Sequence, residues 1–218
     1  MALDARNIIV GASPLFLSKK DSTDVAYAAV LPEGSNVTSG ASVLSSTTAG
    51  ALSNTTLNNA YRNVGYTNNG LQITYNPTYG SVTVDQLLDT AKLFKESMEV
   101  MLATEFAEAT LENVLAVFGQ GGETLNGGEL GLAAGALGLQ PTERQLIAVG
   151  NAPTVNSSGA NQKSERVYYA RRVLSVQQSQ FTLARNAATV FPVTFRLLPD
   201  AAYAGKEYGV IVDRVLTA

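Results

Sequence analysis

The chain has 218 residues, of which 45% are hydrophobic and only 15% are charged, so it can build a core but has few charges compared with the roughly 25% of average domains. Its net charge of -3 leaves no basic surface for gripping nucleic-acid phosphates. Cysteine and histidine are absent, which excludes disulfides, thiolate chemistry and the usual general base near neutral pH. We therefore expect a protein that is not an enzyme and holds no cofactor or metal.

The N-terminal part predicts one strand and then a second. Residues 7–17 alternate apolar side chains but contain Gly11 and Pro14, which is typical of an edge strand or a bulge. A second short strand is predicted at residues 25–31. The first ten residues hold two charges before a short apolar run, which is not a signal-peptide pattern. We expect the chain to stay in the cytosol where it is made.

A long polar segment follows. Residues 32–59 are rich in Ser, Thr, Gly, Ala and Asn and have no sustained hydrophobic period. That composition is too polar to bury a core, and the segment is too long for an ordinary connection. We predict a single domain over residues 1–218, in which residues 18–60 form a long loop or arm inserted after the first strand.

The next segment predicts a β-hairpin. Asn68-Asn69-Gly70 is a turn signal, and residues 71–76 alternate apolar with polar side chains. A second turn is predicted at residues 77–80, and residues 81–85 are predicted to return as the partner strand. Residues 87–94 fit a helical stripe almost as well as an irregular link, so both interpretations stay open.

Residues 98–106 predict a strand with two different faces. Because side chains alternate along a strand, the apolar set and the two glutamates Glu99 and Glu105 fall on opposite faces. The apolar face comprises Val100, Leu102, Thr104 and Phe106.

One helix is predicted, at residues 110–118. Leu111, Val114, Leu115 and Phe118 keep the spacing of an amphipathic helix, and a glycine follows. We expect this apolar stripe to pack against the sheet.

The C-terminal half predicts further strands and loops. Residues 120–138 are predicted as a glycine-rich loop with a short strand, and residues 151–164 as a polar linker. Strands are predicted at residues 145–150, 167–176, 190–198 and 210–216, with Tyr169 and Val173 sharing a face in the second of these. Many short strands with one helix indicate a mainly β fold of the α+β class, a β-sandwich or partial barrel with one flanking α-helix and long loops.

Two patterns that resemble catalytic sites have simpler explanations. Glu105 with Glu108, or Glu108 with Glu112, can be drawn as a glycosidase carboxylate pair, but a carboxylate at a helix start is favoured by the helix dipole alone. The glycine patches at residues 119–122 and 127–128 lack the Lys-Ser/Thr that follows a phosphate loop. We predict no catalytic residues.

Tyr168 and Tyr169 are adjacent and flanked by Arg166, Arg171 and Arg172. Such a strip can stack and bind nucleic-acid bases. Tyr and Arg are also enriched in protein interfaces. The acidity of the chain favours the protein interface over nucleic acid.

The order of several short motifs resembles the major tail tube proteins of long-tailed, siphovirus-type bacteriophages. The motifs are residues 7–12 (Asn-Ile-Ile-Val-Gly-Ala), 61–65 (Tyr-Arg-Asn-Val-Gly) before Asn69-Gly70, 84–86 (Val-Asp-Gln), 107–113 (Ala-Glu-Ala-Thr-Leu-Glu-Asn), 191–196 (Phe-Pro-Val-Thr-Phe-Arg) and 209–213 (Gly-Val-Ile-Val-Asp). The resemblance implies a tail-tube-like β-sandwich whose copies form hexameric rings, with strands from six copies closing a barrel around a lumen. It further implies a structural virion protein of the tail, assembled in the host bacterial cytoplasm and not in a membrane.

The same resemblance implies partners. Stacked rings would form around a tape-measure protein, with tail terminator and tail tip proteins at the ends, and DNA would pass through the lumen during ejection without specific binding. Glu99 and Glu105, and more weakly Asp85, are then the candidates to face the lumen, although the outer solvent face is an equally good place for the two glutamates. The alternative function is a carbohydrate-binding or adhesive β-sandwich module of a virion or injection system, because the chain has many tyrosines and Asn-rich loops.

Overall fold

The computed structural model describes residues 11, 13–19, 39–40, 42–84, 89–121, 125–132, 134, 142–153, 155–157, 160–162, 164–177, 179–183, 185–186 and 188–216. The predicted strand at residues 25–31 and the lumen candidate Asp85 lie outside these residues. So does much of the predicted arm, of which residues 18–19, 39–40 and 42–60 are described.

Strands dominate the described residues. In chain order the elements are β1 Leu15–Ser18, β2 Ser39–Gly40, α1 Thr55–Ala60, β3 Tyr61–Asn63, β4 Thr67–Thr83, β5 Thr90–Phe106, α2 Leu111–Val117, β6 Leu125–Asn126, β7 Glu129–Leu130, β8 Arg144–Asn151, β9 Val155–Ser157, β10 Ala160–Gln162, β11 Ser164–Ser175, β12 Phe191–Leu197 and β13 Gly209–Leu216. The predicted mainly β fold with a flanking helix is confirmed.

Nine strands form one sheet that branches at β11. Its main order is β3-β1-β8-β11-β12-β5-β4, and β13 pairs with β11 outside that path. Residues 164–170 of β11 pair with β13, whereas residues 173–175 pair with β12, and the two regions are separated by a register shift. The bulge at this shift therefore divides the sheet into two branches.

The main core lies inside the curve of this sheet. It combines buried side chains from β1 and β8 near one end of the strand order with side chains from β5 near the other end, together with β11, β12 and α2. Because strands this far apart in the order share one core, the sheet curls around it. This is the partial-barrel form of the prediction.

A second apolar cluster lies on the other face of β1, β8 and β11. It contains Phe16, Ile147 and Tyr169, and the buried Leu52 covers it. Leu52 belongs to the polar segment 32–59, which was predicted to be too polar to bury a core. That prediction is therefore wrong for residues 42–60. Single hydrophobic residues suffice here because a preformed apolar sheet face receives them.

The same residues 42–60 are more ordered than a loop. The Asn54 side chain accepts hydrogen bonds from the backbone N–H groups of Thr56 and Leu57, at 2.8 and 3.3 Å, and so caps α1. At the other end of the segment, the buried Glu165 carboxylate accepts hydrogen bonds from Ser42 Oγ and Val43 N, at 2.7 and 2.9 Å. The Glu165 contacts hold residues 42–43 against β11, and Lys19 N donates to Ala60 O at 2.8 Å at the α1 end of the segment.

The predicted hairpin between residues 71–76 and 81–85 is wrong. Residues 71–83 belong to one continuous strand, β4, which pairs with β5 from Thr67 to Thr83. Asn69 and Gly70 do adopt left-handed φ angles of 60° and 66°, but they form a bulge between Asn68 and Gln72 rather than a reversal. The chain turns between Thr83 and Thr90, and the described part of residues 87–94 belongs to β5 or leads into it.

Two predictions in the C-terminal half also need correction. Tyr169 and Val173 do not share a face, because the bulge in β11 places Val173 in the main core and leaves Tyr169 in the second cluster. The polar linker at residues 151–164 contains the short strands β9 and β10. The alternation predicted for β12 is confirmed, since its four apolar residues are all buried.

Helix α2 lies where the sequence predicts it, but its buried side is rotated. The Thr110 side chain accepts a hydrogen bond from Asn113 N and caps the helix. Leu115 is buried as predicted, whereas Leu111 and Phe118 are 39% and 36% exposed. Asn113 replaces them on the buried side, where its amide nitrogen donates to Val64 O at 2.8 Å and to Glu108 O at 3.0 Å.

Candidate interaction surface

The β4–β5 hairpin has a base within the sheet and an end that projects from it. At the base, β5 pairs with β12 through residues 101–106. Residues 90–100 of β5 pair with β4 alone within the described part of the chain. The end of the hairpin, which we define as residues 76–83 and 90–97, is therefore a two-stranded ribbon. Such a ribbon is marginally stable without further support.

This end exposes large apolar side chains. Tyr79, Val82, Leu93 and Phe94 are 57%, 42%, 64% and 46% exposed. Register places Leu93 and Tyr79 on the face that continues from the core, and Val82 and Phe94 on the other face. Large apolar side chains exposed on both faces of one ribbon indicate a candidate interaction site.

An apolar groove of about 310 Å³ lies beside the base of the hairpin. The base supplies one side of it, and the neighbouring strands β11 and β13 supply the other. Its apolar lining includes Ile73, Tyr75, Met98, Val100, Tyr168 and Ile211. Ile211 is 62% exposed, so the groove is open to solvent.

The loop formed by residues 198–208 closes one side of the groove. Tyr208 lines it and donates its Oη hydrogen to Met98 O at 3.3 Å. The loop is held by Arg171, which is 1% exposed: its guanidinium carbon lies 3.4 Å from the centre of the Tyr203 ring, and its Nε donates to Lys206 O at 3.0 Å. Arg171 N also donates to Tyr208 O at 3.3 Å. The buried Arg171 cation thus holds the loop at Tyr203 and Lys206, while the Arg171 backbone holds Tyr208.

The opposite face of the base is polar. The Glu99 carboxylate lies 3.4 Å from Arg196 Nε, and the Glu105 carboxylate accepts a hydrogen bond from Asn68 Nδ2 at 2.8 Å. The burial of Val100, Leu102, Thr104 and Phe106 confirms that the two glutamates lie opposite the apolar set. That this face lines a lumen stays a prediction.

The remaining acidic candidates have structural contacts. Glu108 Oε1 accepts a hydrogen bond from Tyr66 N at 3.0 Å. Glu112 lies 3.7 Å from Arg62 Nε, and burial lowers the pKa of Arg62 to about 10. Arg62 also donates to Asn113 Oδ1 at 2.6 Å and so joins β3 to α2. Within the described ranges no three Asp or Glu side chains are grouped to hold a metal ion.

The tyrosine and arginine strip is not a basic surface. Arg172 makes two hydrogen bonds to the Glu143 carboxylate, at 2.6 and 2.7 Å. Arg166 makes two to Asp213, at 2.5 and 2.7 Å, and these raise the pKa of Arg166 and lower that of Asp213. With these charges compensated, the strip does not fit the binding of nucleic acid.

Neither the groove nor the arginine that holds its wall is apparent from the sequence pattern. Arg171 stands out there only as a neighbour of two tyrosines, although a charged residue within an apolar strand is a usable signal for a buried cation. No protein-family model matches the chain, and no curated protein sequence matches it either. Among the described residues no helix is long and apolar enough to cross a membrane.

Proposed function

We propose that this protein is a structural subunit that associates with copies of itself into stacked rings, as the tail tube subunit of a long-tailed bacteriophage. The observation that carries the proposal is the β4–β5 hairpin, whose end pairs with no other described strand and exposes apolar side chains. No cofactor or catalytic group has a part in this function. Tape-measure, terminator and tail tip proteins are the further partners, and the location is the virion tail.

Among the described strands β4 pairs only with β5, and its other edge supports self-assembly. β4 is the last strand in the sheet order and is 17 residues long. It contains no Lys, Arg, Asp or Glu and a single proline, Pro77. Edge strands of monomeric proteins are normally protected by charges, prolines or a covering segment. A long uncharged edge is instead suited to pairing with a strand of a neighbouring copy, and closing a ring removes such edges.

The polar face of the hairpin suits a conduit for DNA. Glu99 pairs with the Arg196 guanidinium, whereas Glu105 bonds to the neutral Asn68 amide, so these contacts leave the patch with a negative balance that repels phosphates. At physiological salt the Debye length is about 8 Å, so only charges close to the passing DNA matter. In the proposed tube this face lines the lumen.

Electron microscopy of the purified chain, alone and with tail partners, tests the proposal. We expect rings or tubes with a central channel. Persistent monomers under all conditions, including with tail partners, would overturn it.

The lumen assignment has its own test. Tubes that carry Glu99→Gln and Glu105→Lys should assemble but retain double-stranded DNA at low salt and release it as salt is raised. Glu129→Lys, which changes the charge of an exposed residue on the β6–β7 hairpin, is the control and should not retain DNA. Equal behaviour of the two tubes would place Glu99 and Glu105 outside the lumen.

A second candidate function is carbohydrate binding or adhesion. It is supported by exposed tyrosines, since Tyr66, Tyr75 and Tyr79 are 81%, 58% and 57% exposed and aromatic rings are common platforms for apolar faces of ligands. A glycan array tests it: binding that is lost in Tyr75→Ala with Tyr79→Ala would favour this function, and an array without hits would remove it.

A further inference from the structure

We propose that the apolar groove beside the hairpin base receives the exposed end of the β4–β5 hairpin of a second copy, and that Arg171 positions the wall of this groove. The inference rests on the proposed self-assembly and names the two surfaces that would meet. The contact is head-to-tail, because the end of one copy meets the groove of the next.

A copy cannot fill its own groove with its own hairpin. The base of that hairpin is one side of the groove, through Ile73, Met98 and Val100. Leu93 lies seven residues further along the same paired strand than Val100, which at about 3.3 Å per residue places it roughly 20 Å away. The end therefore lies away from its own groove, and no other described strand pairs with it.

The groove suits an extended strand with apolar side chains. Its volume is near the lower limit of ligand pockets, roughly 300 Å³, and its lining is apolar, which favours a few large side chains such as those at the hairpin end. Two strand edges flank the groove. Within the described part, a strand pairs on only one side with residues 90–100 of β5 and with residues 209–214 of β13. An incoming strand can thus add backbone hydrogen bonds to apolar contacts. The second copy brings such a strand, with an uncharged edge, in its own β4.

Arg171 acts on this contact through Tyr208. Its backbone N–H bonds to Tyr208 O, and its side chain holds the loop through Tyr203 and Lys206. Loss of the guanidinium frees the wall to move, while the hairpin end of the same copy is unchanged. Arg171 is accordingly a positioning residue for the groove.

Disulfide trapping tests the contact, because the chain has no native cysteine. In a mixture of a Leu93→Cys chain with an Ile211→Cys chain, oxidation should give one covalent dimer and nothing larger. A chain that carries both substitutions should give a ladder of covalent oligomers. Disulfides form only where the two Cα atoms come within about 7 Å. These products would therefore show that residue 93 of one copy lies close to residue 211 of the next.

A matched control uses Leu183→Cys, which is 82% exposed on a loop. It should not trap with Ile211→Cys at the same concentrations. Trapping of Leu183→Cys as strongly as Leu93→Cys, or no trapping of Leu93→Cys, would overturn the inference.

The failures of the two proposals are distinguishable. Tubes seen by electron microscopy without the trapped dimer would overturn the groove contact and leave the tube function standing. A trapped dimer with no rings or tubes would support the contact and remove the tube function. Arg171→Met in the doubly substituted chain should lower the yield of the ladder several-fold, and rescue by Arg171→Lys should be partial. An unchanged yield would show that Arg171 does not position the groove.

Discussion

The base and the end of the β4–β5 hairpin share two strands and one alternating pattern, yet their surroundings differ. At the base, Val100, Leu102 and Phe106 are less than 9% exposed. At the end, Leu93 and Tyr79 are 64% and 57% exposed. The base is covered by β12 and the curled sheet, which stop at about Met101. Alternation thus encodes a face to be buried, and within the described ranges the end of that face has no cover, which is why we propose a second copy for it.

The largest expected effect on stability comes from truncating a large core side chain at the base of the hairpin. Phe106 is 0% exposed and its ring centre lies 6.5 Å from that of Phe195. Phe106→Ala should lower the free energy of unfolding by about 3 to 5 kcal/mol, because it leaves a cavity in the main core. Urea denaturation of the free chain measures this. Phe94→Ala at the end is the matched substitution and should cost less than about 0.5 kcal/mol, so equal losses would break the comparison.

A substitution in helix α2 tests whether this helix packs against the same core. Leu115 is 5% exposed, and Leu115→Ala should cost about 2 to 5 kcal/mol. Leu111→Ala, on the same helix but 39% exposed, is the control and should cost much less. Thermal and urea unfolding would contradict the packing of α2 if the loss at Leu115 were under about 0.5 kcal/mol.

Sequence patterns predicted the strands better than their pairing. The faces of residues 98–106 and 190–198 followed from alternation because burial there obeys a period of two. The hairpin was misassigned because Asn69 and Gly70 adopt turn-like angles in a bulge, and local angles do not reveal whether the chain reverses. Likewise, one extra residue in β11 moves Val173 to the other face. The alternation of side chains in the sequence does not reveal such a bulge.

The candidate site was predictable only in part. The polar face with Glu99 and Glu105 lies on one strand, so alternation found it. The groove joins β4, β5, β11, β13 and residues 198–208, segments far apart in sequence whose meeting depends on the branched sheet. The buried role of Arg171 depends on that same meeting, so the sequence alone offered only its position beside two tyrosines.

The bulge at the base provides a smaller test. Gly70 has a φ of 66° and open space where a Cβ would stand, so the only cost of Gly70→Ala is the left-handed backbone, about 1 to 2 kcal/mol. Gly70→Asn should cost less because Asn tolerates this conformation. Both are measured by urea unfolding. If Gly70→Ala had no effect, the bulge would not be required to set the register between β4 and β5.

The smallest expected effect on stability is at the end, and it sharpens the comparison most. Leu93→Ala should change the free energy of unfolding of the free chain by less than about 0.5 kcal/mol, because a side chain that is 64% exposed has little contact to lose. The same substitution should reduce self-association, measured by sedimentation velocity at matched concentrations, because Leu93 gains its contacts only in a neighbouring groove. Leu183→Ala, at a loop position that is 82% exposed, should leave both quantities unchanged. A loss of unfolding free energy above about 1 kcal/mol for Leu93→Ala would show that the end is already covered within the free chain. The base and the end would then differ only in how deeply their side chains are buried, and not in which molecule buries them.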